Sequence, residues 1–230
     1  MSLLTFAFEM PGWAIAISKT GRTVNGNTAD IVAHENVAAR MIKAGVPDNS
    51  RPFKTFFEQG RDLPFNGEAV IIIHPETANT DADSMVMFRR SDVIVTGDIY
   101  RTDSFPMIDV EAGGTTQGVI DALNHILSLT VPSKMLQEGG TYVIPGHGRI
   151  SDEHDVVMYR DMMFIIRDRV RDMVQKKMTL QQVLAARPAL DYEGRYGSDK
   201  GEWTTAMFIE AIYKDLSRGQ AAGAAPRSSK

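Results

Sequence analysis

The stretch from residue 70 to residue 100, VIIIHPETANTDADSMVMFRRSDVIVTGDIY, constrains the fold more than any other. Residues 69–74 form an apolar run bounded by turn formers, which predicts a buried strand. A loop with an acidic cluster comes next. Residues 84–88 and 92–96 predict a strand pair joined by Arg89-Arg90-Ser91. The second of these runs stops at Thr96-Gly97-Asp98, an arrangement that presents a carboxylate at the end of a core strand. A comparable run at 141–145 stops at Gly146-His147-Gly148. Two strands that each deliver one ligand-type side chain at the C-terminal end define a candidate site at Asp98 and His147.

Length and charge narrow the rest. A chain of 230 residues, 43% of them hydrophobic, suffices for one domain with a sizeable core. The expected domain is 1–218, with a small, polar, disordered tail at 219–230 (GQAAGAAPRSSK). The net charge is −4, and no basic run offers a surface for nucleic acid. Cysteine is absent, which excludes disulfides and thiolate metal sites. The leading segment lacks a basic start, and Glu9 and Pro11 interrupt its apolar run, so neither a signal peptide nor a membrane span is expected. The expected setting is cytoplasmic.

Along the chain, residues 6–18 predict one or two short strands and 20–27 a turn. Residues 30–33 predict a strand, and 35–43 a helix that ends at Gly45 and Pro47. Residues 46–68, with Pro47, Pro52 and Pro64, read as loop-rich. Residues 116–129 predict a helix with Val119, Ile120, Leu123, Ile126 and Leu127 on one face. A long helix is expected over 152–176, capped by Ser151, with Met158, Met162, Ile165, Ile166, Val170 and Met173 as its core stripe. Short helices are expected at 179–186 and 203–216. Strands alternating with helices, without a Gly-rich dinucleotide loop, indicate a layered α/β domain.

Three elements in this order resemble those of the metallo-β-lactamase superfamily: Ala78-Asn79-Thr80-Asp81-Ala82-Asp83-Ser84 (the THTDGDS-like loop), Thr96-Gly97-Asp98 and Pro145-Gly146-His147-Gly148. The segment from Ala33 to Met41, AHENVAARM, is similar to the stretch immediately after that family's main metal motif. The resemblance implies a four-layer αββα sandwich. It also implies a zinc hydrolase, in which three protein ligands per metal leave one position open for a water of lowered pKa.

The departures from the family pattern matter most. Registered on Asn25-Gly26-Asn27, the H-x-H-x-D-H motif falls on Ser18, Thr20, Arg22 and Thr23, and the loop histidine falls on Asn79. Only Asp98 and His147 match the family's ligands. No two of the five histidines have H-x-H or H-x-x-x-H spacing, so no other local motif replaces the lost one. Arg22 would set a fixed positive charge where a dication belongs, and its guanidinium is expected to pair with Asp98. Plainer readings stand beside these: Asp98 as a turn cap and His147 as a turn histidine. His34 reads as a helix-start residue, His74 as a strand-end residue and His125 as surface. Asp81 and Asp83 read as solvated or turn-capping before a hard-cation site.

The expectation is therefore a degenerate metallo-β-lactamase-like protein acting in binding or assembly, with zinc absent or weakly bound. The alternative is a zinc-dependent hydrolase of an ester, thioester, lactone or lactam, with a reduced site or one completed by a partner subunit. About 25 residues precede the resemblance, where the family places several strands. A trimmed first sheet would leave an edge open to a second copy, so a homo-oligomer is expected.

Overall fold

The computed structural model describes residues 4–6, 30–52, 54–133, 135 and 139–223. The strand predicted within 6–18 lies outside them beyond Phe6. Two sheets form. The first is parallel, in the order β1 (Leu4–Phe6), β2 (Asp30–His34), β3 (Lys54–Phe56). The second runs in sequence order through β4 (Gly60–Phe65), β5 (Glu68–Ile73), β6 (Met85–Phe88), β7 (Val93–Arg101) and β8 (Tyr142–His147). Helix α1 (Glu35–Lys43) follows β2 directly, and α2 (Thr116–Leu129) joins β7 to β8. After β8 come α3 (Glu153–Gln175), α4 (Leu180–Ala186), α5 (Leu190–Tyr196) and α6 (Thr205–Gly223).

Side-chain alternation stacks these elements into four layers. Val32 of β2, Phe56 of β3 and Ile72 of β5 are buried together, so the two sheets face each other. Ala33, the neighbour of Val32, points the other way and packs with Val37 of α1 and with Ala82. On the far side of the second sheet, Ile94, Ile99 and Tyr100 of β7 and Val143 of β8 meet Ile120, Leu123 and Ile126 of α2. Tyr159, Met162 and Ile166 of α3 and Phe208 and Ile212 of α6 complete that core. Each such fully buried aliphatic stabilises the fold by about 1.5–3 kcal/mol. The result is the αββα sandwich, with α1 outside one sheet and α2, α3 and α6 outside the other.

The structure corrects several sequence readings. The 46–68 segment is not loop: it holds a 3-10 turn at Asp48–Ser50 and strands β3 and β4. Pro64 obscured β4, yet among the described residues β4 pairs with β5 alone, and an edge strand tolerates a proline. The cap of α3 is Asp152, whose side chain accepts from the Asp155 N–H, while Ser151 bridges to Val143 of β8. The α3 stripe is rotated: Met158 and Ile165 are exposed, and Val156, Tyr159 and Met163 are buried with Met162, Ile166 and Val170. Tertiary contacts with two neighbouring helices set that face, not the spacing of the methionines. Helix α5 had no counterpart in the sequence reading, and α6 runs to Gly223.

The sheet direction places the site. β5 is antiparallel to β6, β6 is antiparallel to β7, and β7 is parallel to β8. Hence β5, β7 and β8 point the same way, and their C-terminal ends emerge on one edge. The loop after β5 carries Asn79 to Asp83, the C-terminal half of β7 carries Asp98, and the end of β8 carries His147.

Candidate functional site

Asp98 does not sit at a strand end, as the sequence suggested. β7 continues through it to Arg101, and His147 is the last residue of β8. The β7–β8 register shifts between Val95 and Gly97, and again between Gly97 and Arg101. Such irregularities break the strict alternation of side chains and re-aim them. Ile99 and Tyr100 are thus buried in succession. Gly146 lets the strands close around the carboxylate: a Cβ there would meet Asp98 Oδ1 at 2.6 Å and the Gly97 carbonyl carbon at 2.6 Å.

The Asp98 side chain is only 8% exposed, and His147 Nε2 lies 3.4 Å from its Oδ1. The two groups are neighbours, but Oδ1 accepts no aligned hydrogen bond. Burial raises the Asp98 pKa above the usual carboxylate range, while the positive charges of Arg101 and His147 oppose the shift. Arg101 is itself mostly buried, 3.9 Å from Asp103 through Nε, and that Nε makes no hydrogen bond. Around Asp98, then, the described compensating groups are an imidazole and a guanidinium. Arg22, Ser18, Thr20 and Thr23 lie outside the described residues, and so does the expected Arg22–Asp98 pair.

Asn79 is 3% exposed, and its Oδ1 likewise has no hydrogen-bond partner. Its backbone carbonyl accepts from the Asp109 N–H at 2.9 Å, which ties the loop after β5 to the loop after β7. Asp81 and Asp83 hold that loop in place through protein contacts. Asp83 accepts from the Thr80 N–H at 2.7 Å, and Asp81 takes the Arg40 guanidinium at 2.5 Å. His125 and His154 are exposed on α2 and α3. Tyr100 donates to Ser151 Oγ at 3.0 Å, and burial pushes its hydroxyl pKa up to about 12, so it is a neutral donor to the residue that bridges to Val143.

The sequence reading missed one arrangement altogether. His34 and His74, read separately as a helix-start and a strand-end residue, are both buried and stack face to face, ring centroids 3.7 Å apart at 14°. No sequence spacing signals this, because the two rings come from different sheets.

The fold family implies a metal centre. Among the described residues, no group of three His, Cys, Asp or Glu side chains is gathered closely enough to hold an ion. The donors at hand are one carboxylate oxygen without a hydrogen bond, one imidazole, and an amide where the family has its loop histidine. With a guanidinium beside them, these do not fit a dinuclear site, and no metal-dependent step can be derived from them.

Solved structures with the same architecture settle the fold. The stereoselective inverting sec-alkylsulfatase Pisa1 from Pseudomonas sp. matches at a TM-score of 0.55 and 12% identity, over 92% of this chain and 39% of that one. TMB-1 matches at a TM-score of 0.51 and 14% identity, over 69% of this chain and 66% of that one. The chain has the metallo-β-lactamase fold. A metallo-β-lactamase from Pontibacter korlensis is also similar, at a TM-score of 0.47 and 13% identity over 65% of this chain and 61% of that one. The chain thus spans less than two thirds of the length of these proteins. No protein-family model and no curated protein sequence matches it. Among the described residues no helix is long and apolar enough to cross a membrane.

Proposed function

We propose that this chain is a metallo-β-lactamase-fold protein with a degenerate metal site, one that acts by binding or assembly and is not an efficient hydrolase. One observation carries the reading. Asp98, at the position where the resembled family bridges its metals, is buried beside the His147 imidazole and under the influence of the Arg101 guanidinium. A guanidinium cannot be displaced as a water can, and it repels a dication. The sequence adds that 18, 20, 22, 23 and 79 hold no metal-binding histidine or aspartate.

The alternative, a zinc-dependent hydrolase of an ester, thioester, lactone or lactam, draws on a different observation. Asp98 Oδ1 and Asn79 Oδ1 are both buried acceptors without a donor, and buried polar atoms are rarely left so. Neighbours named as an alkylsulfatase and a β-lactamase share only the fold at this identity and do not select a substrate.

Elemental analysis of protein purified without chelator and dialysed against zinc separates the two. Substoichiometric zinc, with no turnover of ester, thioester, lactone and lactam probes, is the expected result. Near-stoichiometric zinc together with hydrolysis lost in both Asp98→Ala and His147→Ala would overturn it.

A further inference from the structure

We propose that the stacked His34–His74 pair is an acid-operated latch, whose protonation uncaps α1 and loosens its grip on the loops bordering the Asp98 edge. The two rings hold opposite roles. His34 closes β2 and caps α1, its Nδ1 accepting the Asn36 N–H at 3.3 Å. His74 follows β5, and its Nδ1 lies 2.7 Å from the Asp83 carbonyl oxygen. A carbonyl only accepts, so His74 carries its proton on Nδ1, whereas His34 must keep Nδ1 bare. His34 therefore caps the helix only while neutral. A proton on Nδ1 removes the acceptor and sets a cation at a helix N-terminus, where the macrodipole repels it.

The surroundings oppose charge on His34. Both residues are buried, and Phe56 of β3 packs edge-on against His34 at 5.4 Å. The charged groups that act on His34 are Glu35 of α1, Asp81 of the acidic loop and His74 itself. Glu35 and Asp81 favour the proton, but Asp81 is already paired with Arg40 of α1, and the Asp83 carboxylate is held by the Thr80 N–H. Burial dominates, the neighbouring His74 adds to it, and the His34 pKa falls below its usual 6.5. The unfolded chain thus binds more protons than the folded one just below that value. The latch contributes its full stability above pH 6.5 and loses it as pH falls towards the lower folded pKa.

α1 transmits the change. Asn36 Nδ2 donates to the Asp81 carbonyl at 2.7 Å, and Arg40 donates to Asp81 Oδ1 and to the Ala112 carbonyl, each at 2.5 Å. These three bonds join α1 to the loops after β5 and β7, the same loops that Asn79 and Asp109 tie together. Releasing the cap loosens all of them at once.

Amide hydrogen exchange on the full chain, corrected for intrinsic rates, tests this at about pH 7.5 and about pH 5.5. Opening of α1 is expected to rise severalfold, up to about tenfold, at the lower pH, with α3 unchanged, since one pH unit below the ordinary histidine value an opened ring is about ten times more often protonated than not. His34→Ser keeps a capping oxygen without a titrating ring and should abolish the step. An identical step in that variant would overturn the proposal. In the wild-type chain, NMR titration should show the His34 imidazole titrating below its ordinary value, as its burial requires. A His34 ring titrating at or above the ordinary histidine value would also overturn it, whether or not the variant folds.

Discussion

Asp98 shows how one residue reports on a site. A buried carboxylate with an unbonded oxygen is destabilising when ionised, and its neighbours only partly offset this. Its folded pKa is raised from the usual 3.8. The folded state therefore holds the proton more tightly, so the group's stabilising contribution is present at low pH and is lost as pH rises through the folded value. Asp98→Asn, nearly isosteric and uncharged, is expected to gain about 1 kcal/mol at neutral pH, or some 2–4 °C in Tm for a chain this size, and to flatten that pH dependence. Thermal unfolding at pH 4 and pH 7 reads both effects; a Tm lowered by several degrees would show that His147 and Arg101 need the charge. The sequence marked Asp98 and His147 as a pair through two strand-ending motifs. Arg101 escaped notice because only the irregular register of β7 against β8 makes it act on Asp98.

Between elements, close approach decides more than propensity. Helix α2 was legible to the residue, capped by Thr115 and predicted over the same 116–129 span. What the sequence did not show is how tightly its first turn lies against the loop after β5. A Cβ on Gly118 would meet the Thr77 carbonyl oxygen at 1.9 Å and its carbon at 2.5 Å. Backbone atoms cannot yield as a flexible side chain can. Gly118→Ala, which raises helix propensity in isolation, is therefore expected to destabilise by about 3 kcal/mol. A urea midpoint unchanged or raised would mean that the helix slides freely on its loop. The same kind of contact explains the rotated stripe of α3, since Tyr159 takes its place by donating to the Ser104 carbonyl at 2.9 Å and by packing on Tyr100.

At the scale of the whole molecule, the sheet edges govern association. β4 ends the five-stranded sheet but carries Arg61, Asp62 and Pro64, the residues that discourage a further strand. We expect a second copy to add at the three-stranded sheet, giving a dimer by light scattering; a monomer at every concentration would rule this out. The sequence by itself determined the layered α/β class, the order of the β5–β8 motifs and the lack of histidine at positions 18, 20, 22, 23 and 79. These come from local periodicity, from turn residues and from which side chains are present at all. Only the tertiary structure decided that Arg101 answers Asp98, that β4 is a strand despite its proline, and that His34 and His74 stack. Each of these joins residues from separate strands or loops, where burial and strand register, and not spacing along the chain, choose the neighbours.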